Sequence, residues 1–364
     1  MSKKNNSTQK GGGVLSGLLL LVVGIGLLWY NEGRTVKTQG TINEARKNYT
    51  DVSSETIDEK YDGKLIATKG KIDINEADTL TDSKFGINVK AAKMGRVVEM
   101  YQWKENCETD DNDNKKCTYE KDWSTSLIDS SDFEEGGHTN PAEMPYENEV
   151  YISNNIKVGA FLLPEDMIKS LSYNKKKNSD ELSNEYQNKV EGIELVNNYL
   201  TNVKDNNPEV GNIRISYEYL DSEMVSIMAV QTGNTFEAFT SKNGKDIYKI
   251  IKGSKTGAQI LENMTKSNNF MKWLLRFIGV FLVIGAFSSM FSFITNLTDR
   301  IPILGGLVGT ATGLISTVLG LAVSLIVIAL AWFRFRPILS IILIAVAVVL
   351  FVCLKTNILK KKDK

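Results

Sequence analysis

Four apolar runs constrain this chain more than any other feature. Three crowd into residues 273–354: LLRFIGVFLVIGAFSSMFSFI, LGGLVGTATGLISTVLGLAVSLIVIALAWF and PILSIILIAVAVVLFVCL. A helix rises ~1.5 Å per residue, so about 20 apolar residues cross a ~30 Å hydrocarbon core. The fourth run, VLSGLLLLVVGIGLLWY, lies near the N-terminus and closes on Trp29 and Tyr30. Bulky aromatics suit an interfacial anchor, whereas a cleaved signal peptide needs small residues there, so this run reads as uncleaved. The expected class is a multi-pass α-helical membrane protein with four transmembrane helices. A large α+β, strand-rich extracytoplasmic or lumenal domain falls between helices one and two. The expected order is a basic cytoplasmic tail (1–13), helix one (14–30), the domain (31–272), helix two (273–294) and a cytoplasmic loop (295–304). Helix three (305–333), helix four (337–354) and a second basic cytoplasmic tail (355–364) complete it.

Four crossings leave both termini on one side. Lys3, Lys4 and Lys10 in one tail, Lys355, Lys360, Lys361, Lys362 and Lys364 in the other, and Arg300 between helices two and three favour the cytoplasm. Arg334 and Arg336 count against that orientation, but the balance puts the large domain outside. The polar domain and the greasy spans cancel to a mean hydropathy of −0.16. With 43 basic and 43 acidic residues, no bulk charge points to nucleic acid, and the lipid bilayer is the expected environment.

Within the domain, KLIATKGKIDI alternates as a strand does. RVVEMYQWKENCE and CTYEKDWSTSLI flank a polar tip and read as a β-hairpin. Cys107 and Cys117 stand where its strands leave the tip. Cross-strand residues lie ~4.5–5.5 Å apart, which suits a disulfide in an extracytoplasmic compartment. Asp110, Asn112 and Asn114 invite a calcium-loop reading, but Lys115 and Lys121 occupy the places where that loop needs Gly and Glu. EVYISNNIKVGAFLLP, VGNIRISYEYL, EMVSIMAVQ, TFEAFTS and DIYKIIKG read as further strands, and PEDMIKSL as a helix begun by Pro164. Cys353 lies in the last apolar run as a filler. In the third span Gly305, Gly309, Gly313 and Thr317 recur every four residues, which stacks them on one helix face for close packing in lipid.

The stretches NEGRTVK (Asn31–Lys37), VEMYQW (Val98–Trp103), GHTNP (Gly137–Pro141), NPEVGNIRISY (Asn207–Tyr217) and FRP (Phe335–Pro337) resemble, in order, the transmembrane protein 43 family, also called LUMA. The likeness covers nearly the whole chain, including its plan of one span, a large domain and three spans. It implies a lumenal domain with both termini cytoplasmic. In animals it implies the endoplasmic reticulum and inner nuclear membrane, homo-oligomers, and complexes that include emerin and lamins. In a bacterium the membrane would be the cell membrane, without those partners. The Cys107/Cys117 pair stands outside the motifs that carry the resemblance. Lys361 and Lys362 match a dilysine retrieval signal if the source is eukaryotic.

Catalytic chemistry finds little support. His138 is the only histidine, and a metal site needs three or four ligands. His138 with Asp132 or Glu134 could serve a serine, but no G-x-S-x-G elbow is present. No Walker or Rossmann glycine pattern calls for a nucleotide, and no cofactor is expected. Trp103, Tyr101, Tyr119 and Trp123 read as strand core. Glu32, Arg34 and Arg336 sit where spans end, and a Glu32–Arg336 pair would tie the first span to the bundle. The reading that follows is a non-enzymatic scaffold that oligomerises and organises membrane proteins. The alternative is lipid binding or lipid metabolism at the domain–bilayer interface, using Glu32, Arg34, His138 and Arg336.

Overall fold

The structure, a computed structural model, describes residues 9–109, 115–186, 190–298 and 305–342. Its principal helices among the described residues are α1 (Gln9–Asn48), α2 (Glu165–Ser170), α3 (Ser179–Glu185), α4 (Gly257–Thr298) and α5 (Gly305–Phe335). Two compact units form. One holds the chain through Lys47, Thr240–Asp246 and the chain from Gln259; the other holds Asn48–Phe239 and Ile247–Ala258.

In the first unit, three helices are long and apolar enough to cross a membrane: Val14–Asn48, Gly257–Phe291 and Thr312–Phe335. The fourth apolar run continues as helix over residues 337–342 after a break at Arg336, and residues 343–354 lie outside the described residues. The break follows from Pro337, whose ring disfavours helical backbone at the preceding residue. The basic tail positions Lys3, Lys4 and Lys355 onward, Arg300, Cys353 and the hairpin tip with Asp110, Asn112 and Asn114 also fall outside the described residues.

α1 has 40 residues and α4 has 42. At ~1.5 Å per residue each is roughly 60 Å long, about twice the hydrocarbon thickness. Their apolar halves can span the core, and their polar halves extend past it, so helix continues from Asn31 to Asn48 and starts at Gly257, well before Trp273. Tertiary packing explains this. Thr35, Ile42 and Ala45 are buried and share one face of α1, and Ile260, Leu261 and Asn268 are buried on α4. Asn268 Nδ2 donates to the Thr35 carbonyl at 3.1 Å. Lower down, Leu28, Val283 and Val327 form the apolar centre of the three helices, packed by Ile25, Val280 and Val323 among others. Gly24 lets α1 and α4 close up, since a Cβ there would lie 2.8 Å from a Val283 methyl.

The second unit contains two seven-stranded sheets, each a path of five strands with two more paired to its side, and each draws strands from both ends of the domain. One sheet runs in the order Thr235–Glu237, Met224–Thr232, Leu65–Asp73, Lys157–Val158, Phe161–Leu162. The other runs Glu194–Val196, Tyr199–Thr201, Ile213–Leu220, Lys93–Thr109, Lys115–Ser124. The strand-rich stretches 61–163 and 208–253 therefore pair with one another, as at Ile227↔Thr68 and Ile215↔Val98. Alternation places Ile66, Ile72, Val225 and Ile227 in one core and Met94, Val98, Ile215 and Tyr217 in the other.

A charge is buried in the second core. Arg96 Nη1 meets Asp82 Oδ2 at 2.6 Å, and the two side chains are 6 % and 1 % exposed. Tyr217 donates its hydroxyl to the same Asp82 oxygen at 2.8 Å, and burial, then the Asp82 carboxylate, pushes that phenol's pKa upward. Removing one member of a buried pair strands the other charge, a loss of about 3–5 kcal/mol. Asp82→Ala is expected to destabilise the second unit by about that amount in denaturant titration. Glu149→Ala, which removes the half-exposed second partner of Arg96, should cost under about 1 kcal/mol.

Candidate functional site

NEGR directly follows the apolar run of α1, and each of its four residues has a separate contact in the first unit. Asn31 Nδ2 donates to the Lys272 carbonyl of α4 at 2.9 Å. Glu32 is fully buried. Arg276 of α4 donates from Nε to Glu32 Oε1 at 2.6 Å, and its Nη2 lies at 2.6 Å from the same oxygen. Trp332 of α5 donates from Nε1 to Oε2 at 3.0 Å. Gly33 leaves room for the Phe335 ring, which a Cβ would approach to 2.8 Å. Arg34 donates to Asn268 Oδ1 at 3.2 Å. One α1 turn thus engages both other long helices.

Local geometry explains how α4 and α5 supply these partners. Asn268, Lys272 and Arg276 are four residues apart and form one stripe along α4. Trp332 and Arg336 bear the same relation at the end of α5. Arg276 also lies 5.0 Å from the Trp273 ring centroid and 5.8 Å from that of Trp332, so its flat guanidinium is covered by aromatic faces. Arg336, the expected partner of Glu32, lies at 3.9 Å from Oε2, the outer limit of an ion pair. The closer cation, Arg276, sits inside LLRF, where an arginine among apolar residues was the available signal.

The remaining expected residues occupy other places. Gly313 has nothing within 4 Å of where a Cβ would stand, and Thr317 is exposed with its hydroxyl bonded back to the Gly313 carbonyl at 2.9 Å. Gly305 and Gly309 lie earlier on α5. In the second unit, Cys107 and Cys117 face each other across the hairpin and form a disulfide. Glu105 brings a carboxylate within 4.8 Å of both sulfurs, the one such cluster of metal-ligating types among the described residues. A disulfide offers no thiolate, so these three side chains do not form a metal site in this state.

His138 is half-buried and holds a loop against the hairpin. Its ring stacks on Tyr119 at 3.8 Å and meets Trp103 edge-on at 4.6 Å. Two residues on, Asn140 accepts from the Trp103 amide at 2.7 Å and donates to the carbonyls of Trp103 and Ile128 at 3.0 and 3.2 Å. GHTNP is thereby a clamp on the strand that contains VEMYQW. Tyr101 packs on Trp123 at 5.3 Å in the same hairpin.

The family model for transmembrane protein 43 matches residues 100–337. The chain belongs to that family. It is 25 % identical to human transmembrane protein 43 over 374 residues, covering 98 % of this chain and 92 % of the human one. It is 24 % identical to the Drosophila melanogaster homolog of transmembrane protein 43 over 345 residues, covering 90 % of this chain and 89 % of the fly one. No solved structure matches it. With three candidate spans in the structure, this member of the transmembrane protein 43 family is an integral membrane protein.

Glu32→Gln and Arg276→Met each leave a buried partner unmatched, whereas the double substitution removes both. Thermal unfolding in lipid discs should give a coupling of about 1–3 kcal/mol between them, and Arg336→Met should be milder than Arg276→Met. In the hairpin, Glu105 accepts from Tyr119 Oη and from the Glu134 amide, both at 2.6 Å, and the Tyr119 bond leads the effects that hold its carboxyl below the usual range. Burial, then Glu105, pushes the Tyr119 phenol up to about 12. A depressed carboxyl stabilises above its unfolded pKa and loses that effect as pH falls through the folded value. Hydrogen-exchange protection factors over residues 128–140, taken relative to the intrinsic rate at each pH, should therefore fall on acidification below the ordinary carboxylate range, and Glu105→Gln should abolish the dependence.

Proposed function

We propose that this membrane protein is a non-enzymatic organiser, which oligomerises through its spans and holds other membrane proteins around it. The observation that carries this reading is the contrast between two glycines of α5. A Cβ on Gly320 would meet Ile284 of α4 at 2.6 Å, so that face is occupied within the chain. Gly313, two helical turns earlier, has nothing within 4 Å, and Leu314, Ile315 and Val318 beside it are exposed. In lipid, where apolar side chains gain nothing by leaving the solvent, small residues favour association because they let backbones approach. Gly313 and Thr317 offer such a surface to a second copy, and the sequence places Gly305 and Gly309 on the same line of the helix.

In the proposed topology the tails are cytoplasmic, a fourth span follows Arg336, and the strand-rich unit faces the lumen or exterior. The disulfide between Cys107 and Cys117 supports that side for the domain. The endoplasmic reticulum or inner nuclear membrane goes with a eukaryotic source, and the cell membrane with a bacterial one.

Subunit counting of the full chain in lipid discs tests the reading. Wild type is expected as a defined oligomer. Gly313→Leu should shift it to monomers with the strand-rich unit still folded, and Gly320→Leu should instead destabilise the bundle. A wild-type monomer in native lipid would sink the oligomer reading.

A further inference from the structure

The part of α1 just past its apolar run is more positive than its contacts require. Arg34 bonds only neutral groups: Asn268 Oδ1, Asn31 Oδ1 at 3.3 Å and Thr35 Oγ1 at 3.3 Å. Its Nε is buried without a hydrogen-bond partner. Lys245, on the turn Ser241–Asp246, donates from Nζ to Thr38 Oγ1 at 3.0 Å. Burial, followed by the charges of Arg34 and Lys37, pushes the Lys245 ammonium down. Lys37 lies one turn beyond Arg34 and is exposed. Among the described residues none of these three cations forms an ion pair with a carboxylate, and Glu32, the buried acid nearby in sequence, is taken by Arg276 and Trp332.

The turn that brings Lys245 here is fastened to α1. Thr41 and Ser241 share a hydroxyl–hydroxyl bond of 2.8 Å, Glu44 accepts from the Lys242 amide at 3.0 Å, and Asn243 Nδ2 donates to the Lys37 carbonyl at 3.4 Å. Gly40 allows this approach, since a Cβ would come within 2.4 Å of Asn243 Nδ2. A positively charged lysine is therefore held beside two other cations. Such an arrangement is unfavourable unless an anion joins it.

The depth identifies the anion. Trp29, Tyr30 and Trp273 are exposed large aromatics at the ends of the α1 and α4 apolar runs, where side chains of this kind mark the membrane–water boundary. Arg34 and Lys37 follow Tyr30 by four and seven residues, roughly 6 and 10 Å along the helix axis. Headgroups occupy about 5–8 Å on each side of the hydrocarbon. Arg34 thus sits at headgroup depth, and Lys37 and Lys245 lie just past it with flexible stems that can reach back; a guanidinium fork fits two phosphate oxygens and ammonium groups add point charge.

We propose that Arg34, Lys37 and Lys245 form a site for a phosphate group, supplied by the headgroup of an anionic phospholipid. This goes beyond the organiser reading and does not depend on oligomerisation. The full-length protein is placed in phosphatidylcholine discs with or without phosphatidylglycerol, and retained lipid is measured by native mass spectrometry alongside the melting temperature. Wild type is expected to retain phosphatidylglycerol selectively and to melt higher with it. Lys245→Gln should lower that retention by about five-fold without loss of fold, Lys245→Arg should restore it, and Arg34→Gln should reduce it further. Equal retention of the two lipids by wild type overturns the proposal, as does undiminished selectivity in Lys245→Gln. Inorganic phosphate added to phosphatidylcholine discs separates the sources: if it alone raises the melting temperature as much as phosphatidylglycerol, and Lys245→Gln removes the gain, the ligand is a soluble phosphate and the lipid assignment fails.

Discussion

Burying a carboxylate is costly unless cations and donors meet it at fixed positions, and Glu32 imposes that condition on three helices at once. Its two oxygens are divided, Oε1 to Arg276 of α4 and Oε2 to Trp332 of α5. A shift of either helix by one residue turns its donor about 100° away, so the pairing selects a single register where apolar packing alone would tolerate several. Leu28, Val283 and Val327 supply attraction below this point, and Glu32 supplies uniqueness. The neighbouring residues of NEGR act to the same end, through the Lys272 carbonyl, the Phe335 ring and Asn268.

The strand-rich unit achieves uniqueness in a comparable way. Its two sheets join strands that are more than a hundred residues apart, such as Met224–Thr232 with Leu65–Asp73, and closing such long loops is slow. Asp82, Arg96 and Tyr217 come from separate segments and meet only in the finished core. Their mutual satisfaction penalises a slipped register, because a one-residue slip would send Arg96 or Tyr217 to the opposite face. The clamp of His138 and Asn140 is more local, and it fixes a loop that has little regular structure of its own.

What the sequence made legible follows from the range of each signal. Span length is local, so three of four apolar runs are recognisable helices in the structure. The hairpin around Cys107 and Cys117 is local too, and its cross-strand pair is where alternation puts it. The continuation of α1 to Asn48 was not legible. NEGRTVKTQGTINEARKN contains two glycines and three threonines, which favour helix weakly, and packing on α4 and the Ser241–Asp246 turn decides its state. Glu32 could be singled out by its position at the end of a span. Its partner could not, because a contact 244 residues away leaves no periodicity to read.

Charge near the span ends thus divides into two kinds. Glu32 and Arg276 neutralise each other and are shielded by tryptophan, so they contribute to a fixed internal joint. Arg34 and Lys245 have only neutral acceptors, although Asn31, Asn268 and Thr38 orient them as firmly as a structural role would need. A protein selected for bundle stability alone could replace these two cations with neutral side chains of similar reach and avoid their repulsion. Two such cations close to the headgroups, held by uncharged partners that leave the positive charge unspent, are what an interfacial anion site requires.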